Sequence, residues 1–145
     1  MMDIITAATM CLALNVYHEA RGEPLNGQIA VARVTMRRAD HKAERVCPEV
    51  FRPKQFSWTN TLAYKVKGGY KLKKEGHPKE MKAWATSWRV ARAVLIDDLI
   101  PAVAPKATHF HRIDIEPYWA KTLVKVKVIG NHVFYREPYA HERKL

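Results

Sequence analysis

The sequence predicts an α+β protein, helices first and a small antiparallel sheet last. Three observations carry this. Apolar residues recur at helical spacing through residues 4–20, 25–38 and 79–97. A period-two pattern appears at Val124-Lys125-Val126-Lys127-Val128. Between the second and third helices, residues 40–80 carry Pro48, Pro53, Gly68, Gly69, Gly76 and Pro78 and read as loop.

The first helix is expected over residues 4–20. At about 100° per residue, Ile5, Ala8, Leu12, Val16 and Glu19 fall in one narrow sector. A carboxylate therefore stands within an apolar stripe. Gly22 stops this helix and Pro24 starts the chain again. The second helix, residues 25–38, is apolar on most sides through Ile29, Ala30, Val31, Ala32, Val34 and Met36. It is expected to be the buried central helix, with Arg33, Arg37 and Arg38 marking its wet edge. Within the loop region, Lys65, Lys67, Lys71, Lys73 and Lys74 form a basic flap. The third helix, residues 79–97, should bury Trp84, Trp88, Ala91 and Leu95, with Pro101 and Pro105 closing it off. Residues 108–113 read as a strand. Gly130-Asn131 reads as a two-residue hairpin turn between residues 124–128 and His132-Val133-Phe134-Tyr135.

The length, 145 residues, suits one core, and a hydrophobic share of 48% excludes a disordered chain. Lys and Arg number 25 against 14 Asp and Glu, a formal charge of +11. Such an excess fits a polyanionic partner: nucleic acid, an anionic membrane surface or a bacterial envelope. Cys11 and Cys47 are too few for a disulfide scaffold; one bridge is possible but not implied. No apolar run approaches the roughly 20 residues that span a bilayer. Asp3 stands where a signal peptide carries Lys or Arg, so the chain is expected to be made in the cytoplasm without a signal peptide.

Glu19 is the leading catalytic candidate, because a carboxyl group in apolar surroundings keeps its proton near neutral pH and can act as a general acid. Glu23, four residues on, is either a second carboxylate or a turn residue beside Pro24. Gln55-Phe56-Ser57-Trp58-Thr59 mixes aromatic faces with amide and hydroxyl groups, as sugar sites do, or else plugs the core. His109 and His111 share one face of a strand. Joined by His132 they would make a three-histidine zinc site, and otherwise they line a cleft. Tyr118 and Trp119 fit a stacking wall or the core equally well. Asp40, Asp97, Asp98 and Asp114 stand in no motif.

The run Tyr17-His18-Glu19-Ala20-Arg21-Gly22-Glu23-Pro24, followed by Gly27-Gln28-Ile29-Ala30-Val31-Ala32, resembles the cell-wall hydrolase family typified by the spore cortex-lytic enzyme SleB. The segments at residues 55–59, 107–111 and 129–135 agree in order, so the resemblance spans about residues 10–136. It implies a single lysozyme-like or lytic-transglycosylase-like domain over residues 1–136, with a tail at 137–145. It also implies action on peptidoglycan glycan strands with no metal or other cofactor. The family's catalytic acid maps onto Glu19 and its second glutamate onto Glu23. Gln55, Phe56, Ser57 and Trp58 match a segment expected to line the glycan groove, and His109, His111 and His132 match late cleft positions.

The expected reaction is cleavage of the β-1,4 bond between N-acetylmuramic acid and N-acetylglucosamine. A lone Glu19 favours a lytic transglycosylase; Glu19 paired with Glu23 would make a muramidase. A short basic chain with neither export signal nor wall-binding module points to a monomeric phage endolysin, held on the anionic envelope by its charge and reaching the wall through a holin. Two rivals stand beside this: a nucleic-acid-binding module using Trp58, Tyr70 and the lysine loop, and a zinc amidase or peptidase built on His109, His111 and His132.

Overall fold

In the computed structural model, which describes residues 2–96, 100 and 102–143, the chain starts with a helix that caps itself. The Asp3 carboxylate accepts the Thr6 backbone N–H at 2.7 Å and opens α1 (Ile4–Ala20). Gly22, at φ +84°, ends the turn that follows, and Pro24 leads into α2 (Leu25–Arg38). The expected limits of both helices are observed, but their roles are exchanged. From Cys11 to Tyr17, α1 is buried on every side, packed against α2 and two later helices, α3 (Ala43–Val50) and α5 (Met81–Ile96). It is the central helix, and Ile5, expected in its stripe, is 46% exposed.

Burial on all sides forces the polar side chains of α1 to find partners. Asn15, fully buried, donates to the Thr35 hydroxyl on α2 at 3.0 Å and accepts the Trp58 indole N–H at 2.9 Å. Cys11 is bonded to Cys47, which fastens α1 to α3.

Residues 40–80 are not loop. They contain α3, α4 (Ser57–Leu62) and an isolated antiparallel hairpin, β1 (Ala63–Val66) with β2 (Gly69–Leu72). Pro48 lies inside α3 without breaking it. The helix is only 8 residues long, and its apolar face of Ala43, Val46, Cys47 and Val50 packs on the core. Tyr70 of β2 stacks on Phe51 at 4.7 Å, while the flap lysines remain exposed around the hairpin.

Helix α5 follows the expected pattern with its face rotated. Ser87, Val90, Ala91 and Val94 are buried, while Trp84, Trp88 and Leu95 pack partly buried along the edges. Asp97, Asp98 and Pro101 lie outside the described residues.

Three further strands, β3 (His109–Arg112), β4 (Val124–Ile129) and β5 (His132–Arg136), form an antiparallel sheet with β5 in the middle. Gly130-Asn131 is the two-residue turn, since Ile129 pairs with His132. The alternation in β4 does not run through, because the register shifts between Lys125 and Lys127. Val126 is the extra residue of a bulge, so Ile129 turns inward and Val128 is 52% exposed. Two arginines anchor the sheet to the helices. Arg37 donates to the Ala107 carbonyl at 2.6 Å, and Arg38 donates to the Thr108 carbonyl at 3.4 Å. Both carbonyls immediately precede β3.

Candidate active site

The stretch from Tyr17 to Glu23 holds the site together one residue at a time. The Tyr17 hydroxyl accepts the backbone N–H groups of Lys79 and Glu80, at 3.2 and 3.1 Å, just before α5. His18 Nε2 bonds the Gly76 carbonyl at 2.8 Å, and its ring stacks on Trp58 at 4.4 Å. Arg21 lies over the Tyr17 ring and pairs with Glu80 at 2.6 Å. Its neighbours being so engaged, the last turn of α1 is fixed, and Glu19 is fixed with it.

Glu19 borders a cleft of about 620 Å³. Burial pushes its carboxyl up to about 7. Gln55, Phe56 and Ser57 line the same cleft, where the chain enters α4. So do His109 and His111 from β3, Tyr118 and Trp119 from the turn beyond it, and His132 from β5. Tyr118 is 91% exposed and stands free as a ring face. Trp119 instead packs its ring on His109 and His111, at 4.9 and 5.7 Å.

Three candidates do not line the cleft. Trp58 is a core residue, 7% exposed, wedged between His18 and Phe51 and bonded to Asn15. Thr59 is buried beside it, its hydroxyl donating to the Phe56 carbonyl. The sugar-like mixture at residues 55–59 thus divides: Gln55 and Ser57 face the cleft, Phe56 borders it with a ring buried in the core, and Trp58 and Thr59 belong to the core.

Glu23 is the third. Its side chain is 8% exposed, and its two carboxylate oxygens accept the Asn131 backbone N–H at 2.8 Å and the Asn131 side-chain amide at 3.0 Å. A Cβ on Gly130 would lie 2.5 Å from Glu23 Oε1, so this turn needs glycine for space as well as for its φ of +56°. Burial alone would raise Glu23, but the Asn131 bonds, with His132 and Arg112 nearby, outweigh it and hold the carboxyl below its ordinary value. Glu23 clamps the β4–β5 turn onto the loop after α1.

The histidines do not converge. His109 and His111 pair with Tyr135 and Val133 and share one face of the sheet, whereas His132 pairs with Arg112 and falls on the other. His111 Nε2 bonds the Tyr135 hydroxyl at 2.9 Å, and His109 Nδ1 the Thr108 hydroxyl at 2.9 Å. Among the described residues, no group of three His, Cys, Asp or Glu side chains is placed to hold a metal ion. His132 is 1% exposed and neither ring nitrogen has a hydrogen-bond partner among the described residues; Glu23 Oε1 lies 3.7 Å from Nδ1.

Several lining residues had no signal in the sequence: Arg38, Lys54, Asn60, Arg112, Ile115 and Pro117. Phe110 had one, as the centre of Thr-His-Phe-His.

The profile of the family described as Cell Wall Hydrolase matches residues 22–135. Among solved structures, the chain is similar to the catalytic domain of the germination-specific lytic transglycosylase SleB from Bacillus anthracis. That match has a TM-score of 0.63 and 27% identity, covering 89% of this chain and 93% of that one. The catalytic domain of the Bacillus cereus SleB protein gives a TM-score of 0.62 and 26% identity over 90% and 91%. No curated protein sequence matches the chain. Among the described residues, no helix is long and apolar enough to cross a membrane.

Proposed function

The chain belongs to the cell wall hydrolase family, and from that premise we propose that it is a peptidoglycan lytic transglycosylase in which Glu19 acts first as acid and then as base. The carrying observation is that Glu19 is the one carboxyl group among the described cleft residues, and burial keeps it protonated to about pH 7.

Peptidoglycan strands lie in the cleft with the oxygen between N-acetylmuramic acid and N-acetylglucosamine against Glu19. The Glu19 proton passes to that oxygen as its bond to the muramyl C1 breaks, and positive charge develops on the muramyl ring. The ionised Glu19 then takes the proton of the same sugar's 6-hydroxyl, whose oxygen closes on C1. The product is a 1,6-anhydro ring, no water is consumed, and Glu19 is returned protonated.

A hydrolytic muramidase would need a second carboxylate, as base or as nucleophile. Glu23 is spoken for by Asn131 and lies outside the cleft lining, which favours the single-acid route. The similarity to a lytic transglycosylase catalytic domain supports the same choice. Tyr118 provides a stacking face for a sugar ring, and Gln55 and Ser57 provide hydrogen-bonding groups for its substituents. The exposed lysines of the β1–β2 hairpin add attraction to an anionic envelope, and that attraction weakens with salt.

Mass spectrometry of fragments released from purified peptidoglycan tests this directly. Muramyl ends lighter by one water identify the transglycosylase; reducing ends identify the muramidase and refute the single-acid scheme.

A further inference from the structure

We propose that the cleft contains a carboxylate subsite, formed by Lys54 and Arg112, that selects glycan strands bearing an acidic group on the muramyl sugar. The proposal rests on the reading of the cleft as a peptidoglycan site.

The charge of the cleft wall is lopsided. Three cations line it, Arg38, Lys54 and Arg112, against the single carboxyl of Glu19. The cations differ in what already holds them. Arg38 is committed: its side chain is 19% exposed, pairs with Glu49 at 3.3 Å and donates to the Thr108 carbonyl. Lys54 is exposed and makes no ion pair among the described residues. It also sits at φ +64°, in the left-handed region.

Arg112 ends β3 and pairs with Asp114 at 3.3 Å, with both side chains more than half exposed. A pair so wet is weak, and an incoming carboxylate can take the place of Asp114. Lys54 and Arg112 come from the two main stretches of the lining, residues 54–60 and 109–119. Each of the two stretches therefore brings one of these cations to the cleft.

The sugar rings of a peptidoglycan strand are neutral. Anionic charge enters at the muramyl 3-position, either as carboxylates of the stem peptide or, where the peptide has been removed, as the free lactyl carboxylate. Both offer the same group to a lysine and an arginine, and arginine receives carboxylates in a bidentate fork. A neutral glycan of the same length offers nothing to these cations and leaves Arg112 with Asp114.

The test compares strands carrying intact stem peptides, strands stripped of peptide by an amidase, and each of these with its carboxylates converted to methylamides. The wild-type protein is expected to lose about tenfold in kcat/KM on neutralisation, mainly through KM, equivalent to about 1.4 kcal/mol. Whichever charged strand shows the loss identifies the source of the carboxylate. Lys54→Gln and Arg112→Gln should bring the charged-to-neutral preference close to one. About 1 M salt, where the Debye length is about 3 Å, should do the same to the wild type. Equal cleavage of charged and neutralised strands by the wild type overturns the subsite and leaves the lytic activity standing. Variants that lose activity while keeping the full preference also overturn it. Cleavage of none of the strands refutes the activity itself, and the subsite with it.

Discussion

Replacing Glu23 by glutamine separates a structural clamp from a second catalytic carboxylate. In the native protein both Glu23 oxygens accept hydrogen bonds from Asn131 while the side chain is 8% exposed. A hydrogen bond to a charged group contributes about 1.5–3 kcal/mol and a neutral one about 0.5–1.5. Glutamine keeps one acceptor for the Asn131 backbone N–H but sets an NH₂ against the Asn131 amide unless that amide turns over. The loss is therefore about 1 kcal/mol per bond, or about 2 in all. For a chain of this size that lowers Tm by roughly 4–8 °C. The sign with pH follows from the direction of the shift. Glu23 titrates lower folded than unfolded, so its contribution is present above the unfolded value of 4.5 and fades as pH falls through the folded one. The Tm gap between wild type and Glu23→Gln should accordingly be full at pH 7 and close on acidification below about 4.5. Thermal unfolding by circular dichroism measures the gap, and clearing of a peptidoglycan suspension at 20 °C measures the activity, which should remain within about tenfold of wild type. An unchanged Tm together with a loss of activity beyond a thousandfold would refute the clamp and return Glu23 to the chemistry.

Three further outcomes follow from the same structure. Trp58→Ala should cost about 3–5 kcal/mol in denaturant unfolding, because the indole fills the core and bonds Asn15; normal stability with weakened glycan binding would return Trp58 to the cleft. Cys11→Ser with Cys47→Ser releases a link across a sequence separation of 36 and should cost about 3–4 kcal/mol; identical melting of the oxidised and reduced wild type would contradict this. Glu19→Gln should melt later than wild type at pH 8 and not at pH 4. The folded Glu19 carboxyl sits at about 7 against 4.5 unfolded, so the wild type loses about 3 kcal/mol as pH rises through that window; a pH-independent difference would remove the burial argument.

The sequence made the ends of α1 and α2 legible because Gly22 and Pro24 punctuate strongly and the apolar spacing on either side is long and regular. It misassigned α3 because Pro48 reads as a breaker, although Ala43, Val46, Cys47 and Val50 recur at helical spacing. In a helix of 8 residues, packing of that face and the bond to Cys11 outweigh one missing hydrogen bond. The central position of α1 was hidden because a polar Asn15 counts against burial on all sides until its partners Thr35 and Trp58 are known.

At the site, the burial of Glu19 was legible because its angle along one helix is a local property. The role of Glu23 was not, since the residue it grips is 108 positions away. The lining by Lys54 and Arg112 was equally hidden. Each is an ordinary surface cation in its own segment and meets the cleft only once the sheet docks on the helices through Arg37 and Arg38. The division of residues 55–59 between cleft and core is likewise decided by Asn15, forty-three residues before Trp58.

The pH profile of kcat/KM for peptidoglycan cleavage, measured beside Glu19→Gln, bears most directly on the central claim. A protonated Glu19 as the acid predicts activity that falls with an apparent pKa of about 7, and a glutamine variant that folds normally yet is slowed by about 10²- to 10⁴-fold. Unaltered cleavage by that variant, or a profile flat across pH 6–8, would contradict it.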